Sequence, residues 1–85
     1  MFTVYLIKNK INNKCYVGAT SRDAKTRWLE HTTKPNQLLS VDVVKYGWDT
    51  FEFLILEEGV LFKEVQSRET YYQELYKCYT PLGYN

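Results

Sequence analysis

The fold of this chain is decided by one stretch, residues 4–18, which reads VYLIKNKINNKCYVG. Its two ends are rich in β-branched, aromatic and aliphatic residues, which predicts strands over residues 2–8 and 15–20. Between them lies Asn12-Asn13, and asparagine favours turns because it tolerates positive φ and hydrogen-bonds to its own backbone. The stretch therefore predicts a β-hairpin closed around these two asparagines.

The hairpin would bring two tyrosines close together. If the strands pair symmetrically about the turn, Tyr5 and Tyr16 lie on one face, whereas a one-residue slip would place them on opposite faces. Gly18 follows two residues later, and glycine lets another group approach the backbone closely. Two neighbouring phenols beside a glycine are a first indication of a functional site.

Composition and charge narrow the class of protein. The 85 residues make one small domain with a single modest core. The net charge of +1 excludes a strongly basic nucleic-acid binder, so any basic footprint must be local. The first residues alternate like a strand rather than a signal peptide, and no stretch is apolar enough to span a membrane, so we expect a cytoplasmic protein. Cys15 and Cys78 lack metal-type spacing and are expected to be reduced thiols.

The rest of the chain predicts three helices and one more strand. We expect helices over residues 23–31, 37–46 and 61–78, and a third strand over residues 51–56. This strand, FEFLIL, is apolar on both faces, which predicts that it is the central or most buried strand, followed by a turn at residues 57–59. The order β-β-α-α-β-α describes an α/β fold with a small three-stranded sheet, mixed or antiparallel, flanked by helices.

The first predicted helix carries an unusual mixture of side chains on one face. Arg27, Trp28 and His31 fall on one side at helical spacing. One interpretation is structural, with the cation and the imidazole extending past the edge of the tryptophan into water. The other is functional, because plain core packing rarely combines these residue types. The residues themselves leave both interpretations open.

The last predicted helix has an apolar stripe with an acidic residue at its centre. The stripe is formed by Leu61, Val65, Tyr72 and Tyr76. A helical wheel places Glu69 in the middle of the stripe, whereas Glu64 and Glu74 point to solvent. A carboxylate on an apolar face is costly unless something pairs with it, and Arg27 or a metal ion would do so. A structural ion pair and a functional site are both open interpretations.

Two triplets in the hairpin resemble the signature of the GIY-YIG nuclease family. Thr3-Val4-Tyr5 stands for the first triplet and Tyr16-Val17-Gly18 for the second. Thr3 departs from the pattern, since the family usually has glycine there. Arg27 matches the arginine of the family's first helix, and His31 matches a histidine one turn later in the branch of phage and intron homing endonucleases.

The likeness continues to the end of the chain. The stretch KYGWDTF, residues 45–51, resembles the YG-x-x-x-F pattern of that branch. Glu69 matches the metal-binding glutamate of the family's final helix, and Asn85 matches an asparagine that closes the family core. The resemblance therefore covers nearly all of the sequence and implies a GIY-YIG-like fold.

The resemblance implies hydrolysis of DNA phosphodiester bonds with one divalent metal ion, Mg²⁺ or Mn²⁺. Glu69 would hold the ion, and Arg27 would contact the phosphate and offset the negative charge of the transition state. One of Tyr5 and Tyr16 would be the general base, with His31 accepting or orienting its proton. Supporting roles fall to Gly18 and Asn85.

DNA is the partner that the resemblance implies. The candidate DNA-binding residues are basic residues around the hairpin and the start of the first helix, Lys8, Lys10, Lys14, Arg22 and Lys25. A solvated turn is the alternative interpretation. Because family members usually carry a separate DNA-binding part, we expect a homodimer or a separate specificity subunit. The alternative function is a non-catalytic nucleic-acid- or protein-binding module that retains the fold, in which Glu69 would be buried in a salt bridge.

Overall fold

The computed structural model describes residues 1–23, 26–27, 37–79 and 81–85. The elements with described bounds are, in chain order, β1 (Phe2–Asn9), β2 (Cys15–Thr20), α1 (Gln37–Tyr46), a 3-10 helix (Trp48–Thr50), β3 (Phe51–Val60) and α2 (Phe62–Leu75). The first predicted helix lies largely outside the described residues, although Thr26 and Arg27 within it are helical.

The predicted hairpin is confirmed. β1 pairs with β2 in antiparallel register, with Tyr5 opposite Gly18. The turn is closed where the Asn9 N–H donates to the Lys14 carbonyl at 2.8 Å. Asn13 has a φ of 63°, the left-handed conformation that asparagine tolerates better than most residues. The turn chemistry of the sequence therefore sets the register that places the two tyrosines.

The sheet is antiparallel throughout, and its strand order is β2-β1-β3. The prediction that the third strand is central was wrong, because β1 occupies that position. β1 carries the more deeply buried apolar run, with Val4, Tyr5 and Ile7 each 0% exposed. By contrast, Leu54 and Ile55 in β3 are 41% and 51% exposed. Both strands are apolar on both faces, so hydrophobicity alone did not distinguish the centre of the sheet from its edge.

β3 is also longer than predicted. The predicted turn at residues 57–59 is part of the strand, which pairs with β1 as far as Phe2 opposite Val60. Two register shifts occur along this pairing, and Gly59 adopts a φ of 68°. Irregularities of this kind increase the local twist and redirect side chains. Here they place Glu57 opposite Val4, on the side of the sheet where α2 packs.

Both helices with described bounds are followed, within two residues, by a residue with positive φ. α1 covers the predicted range, and Gly47 stops it with a φ of 81° while its N–H donates to the Val43 carbonyl at 2.8 Å. α2 is shorter than the predicted 61–78, because Leu61 is extended and Lys77 has a φ of 56°. No helix among the described residues is long and apolar enough to cross a membrane.

The sheet has a core on each face. On the first, termed the α2 face, Val4, Leu6 and Val17 are buried, with Val65 and Tyr72 of α2 packed against the cluster. The opposite face, termed the tyrosine face, buries a second cluster formed by Tyr5, Ile7, Leu39, Phe51 and Tyr84. β1 therefore contributes alternate residues to both cores, as expected for a central strand.

The C-terminal residues cover the free edge of β2. The Tyr84 N–H donates to the Cys15 carbonyl at 2.9 Å. The Asn85 side chain accepts from the Val17 N–H at 2.8 Å and donates to the Val17 carbonyl at 3.0 Å. These bonds satisfy backbone groups that an edge strand would otherwise leave exposed. They also fix the backbone between Tyr16 and Gly18.

Candidate functional site

The two signature tyrosines lie side by side on the tyrosine face. Their ring centroids are 6.4 Å apart with an angle of 40° between the planes. Tyr5 is completely buried, whereas Tyr16 is half-buried. A Cβ atom at Gly18 would lie 2.6 Å from the Tyr5 hydroxyl oxygen and 2.9 Å from the Tyr16 ring. Because Gly18 has no side chain, the Tyr5 hydroxyl can lie directly against the backbone of β2 at this position.

Both phenols are held in their neutral form at ordinary pH. Burial raises the pKa of Tyr5 to about 12, and the neighbouring Tyr16 acts in the same direction. Burial also raises the pKa of Tyr16, and the Glu69 charge adds to this effect. Arg27 opposes the shift at both residues, through its charge and through a side-chain hydrogen bond to Tyr5. The charges of both Arg27 and Glu69 therefore act on the two hydroxyls.

Arg27 is positioned by a helix start. The Arg27 N–H donates to the Asp23 carbonyl at 3.1 Å, and the Asp23 side chain accepts from the Thr26 N–H at 3.2 Å. This is the arrangement of an N-terminal cap, in which a carboxylate satisfies a free N–H of the first turn. This turn places the half-buried Arg27 side chain against the Tyr5 hydroxyl.

Glu69 is the carboxylate of α2 that reaches this neighbourhood. It is half-buried, whereas Glu64 and Glu74 on the same helix are exposed, as the helical wheel predicts. Burial raises the pKa of the Glu69 carboxyl. Its charge acts on the hydroxyls of Tyr5 and Tyr16. A partly desolvated carboxylate near two phenols and a guanidinium is a combination typical of functional sites.

The ion pair of α2 involves the residue next to Glu69. Arg68 Nε lies 2.9 Å from Glu57 Oε1, and the Tyr72 hydroxyl donates to the same oxygen at 3.0 Å. The Arg68 guanidinium also stacks on Tyr71, 4.7 Å from the ring centroid. Sequence reasoning missed this cluster, because only the register shifts in β3 bring Glu57 to α2. The cation nearest to Glu69 in sequence is therefore engaged elsewhere.

Some predicted site residues are not brought to this neighbourhood by the described structure. His31 and Lys25 lie outside the described residues. Lys10 and Lys14 belong to the hairpin turn, whereas Arg22 follows the other end of β2. The predicted basic group is therefore divided between the two ends of the hairpin, with Lys8 at the turn end opposite Cys15. Asn85 contacts the backbone of Val17 between the site residues.

Glu69 is the described residue that could hold a metal ion at this site. No group of three or more potential ligands of the His, Cys, Asp or Glu types occurs among the described residues. A single carboxylate suits Mg²⁺, which keeps several of its waters and is commonly bound through one or two carboxylates together with phosphate oxygens. The donor set therefore fits a hard divalent cation shared with a phosphate and does not fit a closed structural zinc site.

The three-stranded antiparallel sheet with its packed helices is the fold of a family of catalytic domains. The model of the GIY-YIG catalytic domain family matches residues 1–85, and the chain belongs to this family. The predicted family and the predicted α/β fold with an antiparallel sheet are both confirmed.

Two solved structures are similar to the whole chain. One is the catalytic domain of the homing endonuclease I-TevI, with 29% identity and a TM-score of 0.87, covering 100% of this chain and 97% of that one. The other is a glutamate-to-alanine mutant of the catalytic domain of the intron endonuclease I-TevI, with 31% identity and a TM-score of 0.82, covering 100% and 93%. No curated protein matches the chain.

Proposed function

We propose that this chain is a divalent-metal-dependent endonuclease that hydrolyses DNA phosphodiester bonds. The observation that carries the proposal is the shared electrostatic neighbourhood of Arg27, Tyr5, Tyr16 and Glu69, which come from three separate parts of the chain. Such a set supplies what the reaction needs, namely a cation for the phosphate, a proton acceptor and a ligand for a metal ion. Membership of the family and the likeness to I-TevI support the same reaction class.

Tyr16 is the better candidate for the general base. Tyr16 is half-buried, so part of the residue is accessible to water, whereas Tyr5 is 0% exposed. The pKa of Tyr16 is raised by burial, so the phenol needs positive charge to give up its proton. Arg27 acts in this direction already. His31, as the family resemblance implies, would accept the proton or orient the hydroxyl.

Arg27 would bind the scissile phosphate. A guanidinium presents several donors in a fixed plane, which matches the oxygens of a phosphate. The hydrogen bond to the Tyr5 hydroxyl holds one edge of the Arg27 guanidinium in place. In this proposal Tyr5 is therefore a positioning residue for Arg27. The charge of Arg27 would offset the negative charge that develops on the phosphate in the transition state.

Glu69 would hold the divalent ion, and the ion would supply Lewis-acid stabilisation of the phosphate and the leaving oxygen. Burial raises the pKa of the Glu69 carboxyl, because a partly desolvated position disfavours its charged form. A bound cation would lower that pKa and relieve the cost of burial. Mg²⁺ and Mn²⁺ are the ions that oxygen ligands of this type favour.

Binding of DNA would use the lysines at the hairpin. Lys10 is exposed and Lys14 half-exposed in the turn, and they provide a local positive surface on a chain with a net charge of +1. Such a small basic surface gives weak, salt-dependent affinity. We therefore propose that target specificity comes from a homodimer or from a separate specificity subunit.

A non-catalytic binding module is the alternative, and it would use Glu69 as a buried structural ion pair. The described residues favour the nuclease instead. Among the residues that the structure describes, the ion pair at this part of α2 joins Arg68 to Glu57, and burial is what shifts the pKa of Glu69. A carboxylate kept only for structure would gain nothing from a position that raises its own pKa.

The test compares Glu69→Gln with Glu64→Gln on supercoiled plasmid, with Mg²⁺ or with EDTA. Both substitutions remove one charge from the same helix, but Glu64 is exposed, whereas Glu69 is half-buried and its charge acts on both phenols. We expect nicking by wild type and by Glu64→Gln with Mg²⁺ only, and none by Glu69→Gln. Thermal melts of all three proteins establish that they are folded. Cleavage that persists in Glu69→Gln or in EDTA would overturn the proposal.

A further inference from the structure

Two cysteines that the proposed nuclease site does not use lie together in the core of the α2 face. Cys15 is 4% exposed and Cys78 is 0% exposed, and both thiols are free. They belong to one buried cluster, and a side-chain hydrogen bond joins the two sulfur groups. Their sequence separation gave no reason to expect this contact. Two thiols that share a buried cluster and interact with each other are placed to form a disulfide.

Cys15 has a route to solvent. It lines a cavity of about 250 Å³ together with Lys8, Leu54 and Tyr76, among other residues. Leu54 and Tyr76 are 41% and 43% exposed, so the cavity opens at the protein surface. Cys78 is not part of the cavity wall. A small oxidant would therefore meet Cys15 first, with Cys78 behind it.

The surroundings also make Cys15 the more nucleophilic thiol. The hydrogen bond from Cys78 lowers the pKa of Cys15, and the Lys8 charge acts in the same direction, while burial opposes both. The Cys15 thiol also lies 3.4 Å from the Tyr76 carbonyl, a contact that favours its protonated form. The same pair interaction raises the pKa of Cys78, and burial adds to this effect. Thiolate character in the pair therefore belongs to Cys15.

We propose that Cys15 and Cys78 are a peroxide-reactive thiol pair that closes to an intramolecular disulfide. The Cys15 sulfur attacks one oxygen of hydrogen peroxide and the O–O bond breaks, which gives a sulfenic acid on Cys15 and one water. The Cys78 sulfur then attacks the Cys15 sulfur, and the S–O bond breaks as a second water leaves. The two thiols lose two electrons in total, and the peroxide gains them.

The disulfide would make covalent a junction now held by hydrogen bonds. The Tyr84 N–H donates to the Cys15 carbonyl at 2.9 Å, and the Asn85 N–H donates to the Cys78 carbonyl at 2.8 Å. The same terminal residue clamps Val17 beside the second signature triplet. Oxidation therefore joins β2 to the segment that follows α2, without using a residue of the nuclease site.

The experiment treats the folded protein with hydrogen peroxide, removes the excess with catalase, and blocks remaining thiols with iodoacetamide in denaturant. Intact mass spectrometry then counts the alkylated cysteines. We expect no alkylation and a mass lower by two hydrogen atoms, and we expect dithiothreitol to restore both thiols. A wild type that keeps both thiols, or that forms only disulfide-linked dimers on a non-reducing gel, would overturn the proposal.

Two single variants test the order of attack. In Cys78→Ser, Cys15 should stop at the sulfenic acid, which dimedone traps. In Cys15→Ser, the remaining Cys78 should react with peroxide at least roughly tenfold more slowly than Cys15 does in Cys78→Ser. Equal rates in the two variants would contradict the assigned roles. The wild-type mass measurement stands even if one variant folds poorly, and it does not depend on DNA cleavage.

Discussion

Two buried tyrosines in the same core cluster, Tyr5 and Tyr84, have similar acidity but different surroundings. Burial raises the pKa of each hydroxyl to about 12. The Tyr84 hydroxyl donates to the Asp42 carboxylate at 2.6 Å and accepts from the Asn9 side chain at 3.3 Å. Asn12 donates to the same Asp42 oxygen at 2.9 Å. Around Tyr84, donors and acceptors satisfy one another.

The side-chain hydrogen bonds to Tyr5 and to Tyr84 shift the phenol pKa in opposite directions. Arg27 bonds to the Tyr5 hydroxyl and lowers its pKa, whereas the bond to Asp42 raises that of Tyr84. A carboxylate acceptor fixes a phenol as a neutral donor, while a cationic donor favours the phenolate. A raised phenol pKa therefore does not by itself identify a site. The sign of the neighbouring charge separates the structural tyrosine from the candidate functional ones.

The largest expected difference between these two regions is in the cleavage rate of phenylalanine variants. Tyr16→Phe should reduce plasmid cleavage by roughly 100-fold or more, because it removes the proposed proton acceptor. Tyr5→Phe should cost less, because Tyr5 is proposed to position Arg27. Tyr84→Phe should cleave at the wild-type rate per folded molecule. Initial rates in Mg²⁺, corrected for the folded fraction, give the comparison. A larger loss in Tyr5→Phe than in Tyr16→Phe would reverse the assignment of the base.

A methyl group at Gly18 would test how closely the tyrosine site is packed. The added Cβ would lie 2.6 Å from the Tyr5 hydroxyl and 2.9 Å from the Tyr16 ring, too close for either ring to stay in place. Gly18→Ala should destabilise the fold by about 1–3 kcal/mol, the usual cost of overpacking. It should also reduce cleavage, because the Tyr5 hydroxyl is displaced from Arg27. Urea unfolding measures the first effect, and unchanged stability would show that the ring adjusts freely.

The hairpin and the placement of its two tyrosines were predictable because their signals are local. Asn13 adopts the positive φ that its residue type tolerates, and the two-residue period of a strand then places Tyr5 and Tyr16 on one face. Glu69 was predictable for the same reason, since helical periodicity separates it from the exposed Glu64. His31 lies outside the described residues, so its place in the site stays a prediction.

What sequence reasoning missed depends on distant pairings. The prediction that the third strand is central was wrong, because apolar content does not reveal which strand pairs on both sides. The ion pair of Glu57 with Arg68 depends on two register shifts in β3, and no sequence pattern gave their position. The bond between Asn9 and Tyr84 joins residues separated by 75 positions. Asn12 was predicted only as a turn residue, and its bond to Asp42, 30 positions away, had no signal in the sequence.

The Tyr84 region should respond in stability rather than in activity. Tyr84→Phe leaves the Asp42 carboxylate and the buried Asn9 side chain without their shared partner. Loss of a buried hydrogen-bond partner costs about 1–3 kcal/mol, and bonds to charged groups lie in the upper part of that range. Chemical unfolding should show this loss, with Tyr79→Phe, an exposed tyrosine in the same segment, as the control. Equal stability of the two variants would show that the network contributes nothing.

The smallest expected effect is the pH dependence that Asp42 gives to the same region. Burial raises the pKa of Asp42, but hydrogen bonds from Tyr84 and Asn12 outweigh it, and the net pKa is lowered. A carboxyl whose pKa is lower in the folded state stabilises the fold above its unfolded pKa of about 3.9. That contribution disappears as the pH falls through the folded value. The difference in melting temperature between wild type and Asp42→Asn should therefore be constant from pH 7 to about pH 5 and shrink below about pH 4. A difference that is the same at every pH would mean that the charge of Asp42 adds nothing to the hydrogen bond from Tyr84.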